Sequence, residues 1–152
     1  MLNHGLTTFQ RAVRETVYRS FAEKGRPPTA WEIGEELRCQ GPAVEEALTE
    51  LAAMHALVLR EDGRSVSMAM PFSTDPTPFR VSVGPRSWYA NCAWDAVGIG
   101  TVLNEQVSVA WSCPVSHAAS TFTSDSRGCD PPDGVVHFLV PAANWWDDIA
   151  FT

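Results

Sequence analysis

The sequence predicts an α+β protein: a winged-helix-like helical domain followed by a small, mostly antiparallel β core with a short helix. Two observations support this class. Apolar residues recur at helical spacing near the N-terminus, as in Phe9, Val13, Val17 and Phe21. After Met70 the sequence becomes rich in proline, serine and threonine, and short runs alternate as strands do. We place the boundary at about residue 72, which gives domains 1–71 and 72–152.

The first domain contains three predicted helices. The first runs over about 8–23, and Gly25 with the following prolines ends it. Thr29 and Glu32 have the spacing of a capping box and open the second helix. A third helix begins near Pro42, a residue suited to the first helical turn, and its predicted inward-facing residues are Val44, Leu48 and Leu51.

A β-hairpin should follow these helices, with strands at 57–60 and 65–68 joined across a turn at 61–64. Three helices and a hairpin form a winged-helix-like unit, a layout that also occurs in DNA-binding proteins. However, the third helix would be the recognition helix, and no Lys or Arg occurs between Cys39 and Leu59. Glutamates at 45, 46 and 50 would repel phosphates. We therefore expect a packing or dimerising unit and no nucleic-acid partner.

Composition narrows the class of protein further. The chain has 152 residues and a net charge of −7, which disfavours nucleic acid and anionic membrane surfaces as partners. The N-terminus lacks an apolar core of signal-peptide length, and no run approaches the roughly 20 apolar residues of a membrane span. We expect a cytoplasmic protein whose four cysteines are reduced. None of them forms a Cys-x-x-Cys pair, so a zinc knuckle is not supported.

The second domain should begin with a rigid proline-containing run at 73–78. Strands are predicted at 79–83, 106–111 and 135–140, and a fourth begins at 149–152. A chain that stops within an apolar strand leaves backbone groups unpaired, so we expect a shortened chain or a fragment.

The stretch 88–100 organises this second domain. It places Cys92 and Asp95 three residues apart at the start of a predicted short helix, so that both side chains point into the same space. The backbone N–H groups and dipole at a helix start favour a thiolate, which predicts a lowered pKa for Cys92. Apolar neighbours predict burial and a raised pKa for Asp95. The simpler interpretation is an inert core cysteine beside a helix-capping Asp.

More than this pair is present in the sequence. Pro71-Phe72-Ser73, Thr77-Pro78-Phe79-Arg80-Val81 and Trp88-Tyr89-Ala90-Asn91-Cys92-Ala93-Trp94-Asp95-Ala96 together resemble the core of the alkylmercury (organomercurial) lyases. The preceding segment resembles the N-terminal helical domain of that family. The resemblance implies that Cys92 is a mercury-binding thiol and that Asp95 is the proton-handling carboxylate. It also implies a second thiol after a Phe in a late strand, near where this chain ends at Phe151-Thr152.

The resemblance implies protonolytic cleavage of a carbon–mercury bond in a small organomercurial, giving a hydrocarbon and Hg(II). Mercury is a soft metal that prefers thiolate, so Cys92 and Asp95 would contact the mercury of substrate or product. No organic cofactor is implied, but external thiols are. Small thiols or mercuric reductase would accept the Hg(II). Two other hypotheses remain: a catalytically silent thiol module that binds Hg(II) or another soft metal, and an acidic winged-helix regulator that responds to metal.

Several other residues could carry chemistry, and for most of them a structural role is the stronger prediction. Cys39 and Cys113 should pack, and Cys129 should be exposed in a turn-rich loop. His117 and His137 lack metal-ligand spacing, and His137 should be held by hydrogen bonds within a strand. Trp145 and Trp146 could either wall an apolar site or cap the surface.

Overall fold

A computed structural model describes residues 5–113, 116–130 and 135–149. The chain divides into two compact units, Met1–Ala69 and Met70–Thr152. The sequence-based boundary was placed two residues later, at 72. Three of the α-helices lie in the N-terminal unit and most of the strands lie in the C-terminal unit, which confirms the α+β class.

The N-terminal unit contains helices α1 (Thr8–Lys24), α2 (Ala30–Leu37) and α3 (Gly41–Ala53). Helix α1 ends at Gly25, whose φ of 71° is left-handed, as the sequence predicted. Helices α1 and α2 both begin with a complete capping box. The fully buried side chains of the three helices form one apolar core, composed of Val13, Val17, Phe21, Ile33, Val44, Leu48 and Leu51.

The predicted hairpin is present as strands β1 (Val58–Leu59) and β2 (Val66–Ala69), which pair antiparallel. Two glutamates of α3 have partners within the unit. Arg64 lies 3.6 Å from Glu45, and Gln10 Nε2 donates a 2.6 Å hydrogen bond to Glu50. The α3 acidic face therefore contributes local contacts as well as solvation. The winged-helix assignment stays a prediction.

The C-terminal unit is built on an antiparallel sheet in the strand order β3-β5-β4-β6-β7-β8. Two of its strands, β4 and β6, are those predicted near 79–83 and 106–111, with slightly different ends. The sequence did not predict β3, β5, β7 or β8. The bounds of the six strands are Phe72–Ser73, Arg80–Val83, Arg86–Ala90, Val107–Ser112, Ala119–Asp125 and Gly128–Asp130.

Helix α4 (Ala93–Leu103) follows β5 and packs on this sheet through Ala96, Ile99 and Gly100. A Cβ atom at Gly100 would lie 2.6 Å from the backbone oxygen of Ser124 in β7, so only glycine permits this approach. The Ser124 hydroxyl also donates a 2.9 Å hydrogen bond to the Val97 carbonyl. The helix is therefore held against β7 by both close packing and a specific bond.

The prediction of a strand at 135–140 is wrong. These residues have no regular secondary structure, and Val135 and Leu139 are 91% and 81% exposed. The reason is that the run packs locally instead of pairing: the Phe138 and Trp145 rings are 4.9 Å apart, and Trp145 Nε1 donates to the Val140 carbonyl. A 3₁₀ helix, Ala142–Asp147, carries Trp145. Of the fourth predicted strand, Ile149 lies in a turn and 150–152 lie outside the described residues.

The proline-containing run at 73–78 belongs to the sheet. The Thr77 hydroxyl donates a 2.6 Å hydrogen bond to the carbonyl of Ala90 at the end of β5, and Ser73 lies in β3. This run therefore supports the strand that leads into α4. Across the described ranges, the helices are all too short or too polar to cross a bilayer.

Candidate active site

Cys92 and Asp95 occupy matched positions at the start of α4. Cys92 is the N-cap residue, with extended backbone (φ −145°, ψ −179°), and its carbonyl accepts the first helical hydrogen bond from Ala96 at 3.0 Å. Asp95 lies in the first turn. The sequence placed Cys92 within that turn, whereas the structure places it one residue before the helix. Strand β5 and its partners fix this position because β5 ends at Ala90.

The structure brings the two side chains together. The Cys92 thiol donates toward Asp95 Oδ2, with 3.5 Å between Sγ and Oδ2. Both residues are half-buried. A soft nucleophile and a potential proton acceptor therefore share one partly desolvated space.

The predicted low pKa of Cys92 is wrong. Burial, and next the negative charge of Asp95, raise the pKa of the Cys92 thiol to about 11. The backbone N–H groups of Asp95 and Trp94 act in the opposite direction, as the helix-start argument expected. Burial and the negative charge of Asp95 outweigh them. The thiol is protonated at neutral pH.

The predicted direction for Asp95 agrees with the structure. Burial raises the pKa of the Asp95 carboxyl, while hydrogen bonds from the side chains of Asn91 and Cys92 partly oppose this effect. A carboxyl group of this kind can accept and return a proton at a less acidic pH than an exposed one.

Strands β3 and β5, which pair with each other, precede the site along the chain or are bonded to it through Asn91. Phe72 in β3 is fully buried, and its ring centre lies 6.4 Å from that of Trp88 in β5. The carbonyl of Phe72 accepts a 3.4 Å hydrogen bond from Asn91 Nδ2. Trp94, next to Asp95, is 62% exposed. The strand that leads into α4 therefore has a buried aromatic residue, while an exposed aromatic residue stands next to Asp95 in the helix.

The family model described as alkylmercury lyase (MerB) matches residues 72–152, slightly more than half of the chain. The chain belongs to the alkylmercury lyase family. The matched segment includes β3, β5 and α4, so it contains the Cys92–Asp95 pair and the strands that support it.

The fold of this alkylmercury lyase family member is similar to that of a solved structure entitled "Crystal structure of the mercury-bound form of MerB2". The TM-score is 0.67 at 20% sequence identity, and the similarity covers 84% of this chain. The chain spans 61% of the length of that structure's chain. No curated protein matches the sequence.

The other cysteines of this alkylmercury lyase homologue occupy different places. Cys129 is half-buried in strand β8, where it pairs with Ser124, so the prediction of an exposed loop is wrong. Its thiol lies 3.8 Å from the Ser124 hydroxyl. Cys113 follows β6, and its sulfur accepts from the Ser116 N–H at 3.5 Å. Cys39 lies after α2 and is half-buried rather than fully buried in the core.

Metal-ligand clusters are absent from the described part of the chain, where no group of three His, Cys, Asp or Glu residues could hold an ion. His137 lies in irregular structure, so its placement in a strand is wrong. His117 has a left-handed φ of 57°, and its N–H donates to the Cys113 carbonyl. Trp145 packs within its own segment.

Sequence reasoning missed Asn91. Its side chain contacts both the β3 backbone and Asp95, and its Oδ1 atom is buried without a hydrogen-bond partner. One signal was available in the sequence: a polar amide stands directly between an apolar strand and the reactive cysteine.

Proposed function

We propose that this chain is a carbon–mercury lyase that cleaves small organomercurials by protonolysis. One observation carries the proposal: in a family of alkylmercury lyases, the Cys92 thiol lies 3.5 Å from the Asp95 carboxylate and donates toward it. A thiol that binds mercury and a carboxyl that transfers a proton are two of the groups that this reaction needs.

The first step is attachment of the substrate to sulfur. The organomercury cation R–Hg⁺ forms a bond to Cys92 Sγ, and the S–H bond breaks. Metal binding to a thiol releases its proton, so the raised pKa of Cys92 slows but does not prevent this exchange with a soft metal. Asp95 Oδ2, 3.5 Å from Sγ, receives the proton.

The second step is proton delivery to carbon. The protonated Asp95 transfers its proton to the carbon attached to mercury, and the electron pair of the C–Hg bond becomes the new C–H bond. The hydrocarbon R–H leaves, Asp95 is again a carboxylate, and Hg(II) remains on Cys92. A second thiolate on mercury would supply electron density for this step, and an external thiol can provide it.

The environment of Asp95 suits this role. A general acid works best when its pKa approaches the working pH, and burial moves the pKa of Asp95 in that direction. General acid catalysis of this kind contributes a factor of about 10²–10⁴. The remaining product, Hg(II), would pass to small thiols or to mercuric reductase, since both offer further thiolates.

The test is methane release from methylmercury with excess small thiol, measured in the headspace over the purified chain. We expect catalytic methane from the wild type and none above background from Cys92→Ser. Cys129→Ser is the matched control, because it removes another half-buried thiol from the same unit.

The alternative of a catalytically silent thiol module gives a different result in this assay. Stoichiometric mercury retention by Cys92 without methane would identify the silent binding module and overturn the lyase proposal. Unchanged methane from Cys92→Ser would also overturn it. Loss of methane from Cys129→Ser would identify Cys129 as the second thiolate.

A further inference from the structure

Asn91 connects the reactive pair to the sheet. It stands between the last residue of β5, Ala90, and the N-cap residue Cys92. Its Nδ2 atom donates a 3.4 Å hydrogen bond to the carbonyl of Phe72, whose strand pairs with β5 through Phe72 and Ala90. The side chain is therefore anchored to the backbone of a neighbouring strand.

The same amide group also acts on Asp95, because its donor end stabilises the carboxylate and lowers the pKa of Asp95. An amide NH₂ has two hydrogens, and the two acceptors around Asn91, the Phe72 carbonyl and the Asp95 carboxylate, can use both of them. The opposite orientation of the amide would place its oxygen against these two oxygens. The acceptors thus determine which way the amide points.

This orientation leaves Asn91 Oδ1 buried with no hydrogen-bond partner. A buried acceptor without a donor costs about 1–3 kcal/mol, and an apolar side chain of the same size would avoid that cost. The useful part of the side chain is its donor end.

We propose that Asn91 is a positioning residue, whose amide, anchored on the Phe72 carbonyl, holds the Asp95 carboxylate against the Cys92 thiol. Its catalytic consequence rests on the proposed lyase function. Mercury attaches to sulfur, so uptake does not depend on Asn91. Proton delivery to carbon does depend on the placement of Asp95, and a displacement of about 1 Å can slow such a step about a hundredfold.

The first test uses Asn91→Leu, which keeps the side-chain size and removes both donors; Asn91→Ala replaces it if the leucine variant does not fold. We expect kcat for hydrocarbon release to fall about ten- to hundredfold. KM and stoichiometric mercury uptake should stay within about twofold of the wild type, because binding to Cys92 is retained.

The matched control is Ser124→Ala. It removes another side-chain hydrogen bond that anchors α4, to the Val97 carbonyl, without touching Cys92 or Asp95. We expect this variant to keep kcat. Equal losses in Asn91→Leu and Ser124→Ala, or parallel losses of uptake and kcat in Asn91→Leu, would show a merely structural role and overturn the inference.

A second test does not need turnover. In ¹H–¹⁵N spectra, the side-chain NH₂ resonances of Asn91 should shift in Asp95→Ala and stay unchanged in Ser124→Ala. Resonances that do not respond to Asp95→Ala would overturn the inference and leave the lyase proposal intact. A wild type that releases no hydrocarbon would overturn the proposed function alone, and a shifted amide would still support the contact.

Discussion

Two helices of this chain begin with the same spacing and different chemistry. Helix α2 has Thr29 at the N-cap and Glu32 three residues later, while α4 has Cys92 and Asp95 in the same two positions. At α2 the Thr29 hydroxyl accepts from the Glu32 N–H at 3.1 Å, and Glu32 accepts from the Thr29 N–H at 2.7 Å. At α4 the two side chains face each other instead.

The difference follows from the atoms and from burial. A hydroxyl oxygen is a good acceptor for backbone N–H groups, whereas a thiol is a weak one, so Cys92 does not cap its helix. Glu32 keeps 26% of its side chain exposed, and the side chain of Arg26, with the Thr29 backbone, lowers the pKa of Glu32 to about 2. Burial raises the pKa of Asp95. One spacing therefore gives a cap whose carboxyl has a lowered pKa in one helix and a carboxyl with a raised pKa in the other.

The largest effect is expected from converting one helix start into the other. The double variant Cys92→Thr with Asp95→Glu should lose hydrocarbon release by about 10³-fold or more, because the nucleophile is gone. Its free energy of unfolding should rise by about 1 kcal/mol, because threonine caps a helix better than cysteine. Headspace analysis and urea denaturation measure the two quantities. Hydrocarbon release retained by this double variant would show that the chemical difference between the two helix starts is not what matters for release.

Asp95→Asn separates binding from proton delivery. We expect hydrocarbon release to fall about 10²–10⁴-fold, because the amide cannot deliver a proton, while stoichiometric mercury uptake stays near that of the wild type. Glu32→Gln, the equivalent change at α2, should leave release unchanged. Equal effects of these two substitutions would show that Asp95 acts only as a helix-start charge.

In Asp95→Asn the rate of Cys92 alkylation should rise, although the rate of hydrocarbon release falls. Removing the negative charge in Asp95→Asn lowers the pKa of Cys92 toward its ordinary value, so more thiolate is present at pH 8. Alkylation of Cys92 by iodoacetamide, mapped by mass spectrometry, should accelerate about tenfold for each pKa unit. In the wild type the rate should keep rising with pH toward about 11. An early plateau near pH 8 would contradict the raised pKa.

The smallest effect is expected from the cap of α2. Thr29→Ala should lower the free energy of unfolding by about 1 kcal/mol, since one N-terminal N–H loses its side-chain acceptor. Hydrocarbon release per folded molecule should not change. Chemical denaturation and the methane assay at matched folded concentration measure both. A parallel loss of release would mean that the N-terminal unit contributes to the chemistry.

Local patterns predicted the helical half well. The capping box at Thr29, the Gly25 stop and the apolar spacing of α1 are all determined by residues close in sequence. The β half was predicted less well because strand pairing depends on distant partners. The apolar run at 135–140 lies without a partner strand, while a polar-rich segment such as Ala119–Asp125 forms a strand because β6 pairs with it.

In the candidate site, too, features set by nearby residues were predictable and features set by distant residues were not. The contact of Cys92 with Asp95 was predictable, because it needs only helical spacing. The pKa of Cys92 was not, since it depends on how deeply the fold buries the thiol. Asn91 was missed for a related reason: its importance comes from Phe72, nineteen residues away along the chain.

Gly100 determines how closely α4 can approach strand β7. It lies about two turns beyond Cys92 along a rigid rod, roughly 12 Å away. At this point the rod rests directly on the β7 backbone, 2.6 Å from where a Cβ atom would stand. A methyl group there would act as a wedge, because a strand carbonyl cannot turn aside as a flexible side chain can. A tilt of α4 would displace Cys92 at its start, so the position of the thiol depends on a residue that has no side chain.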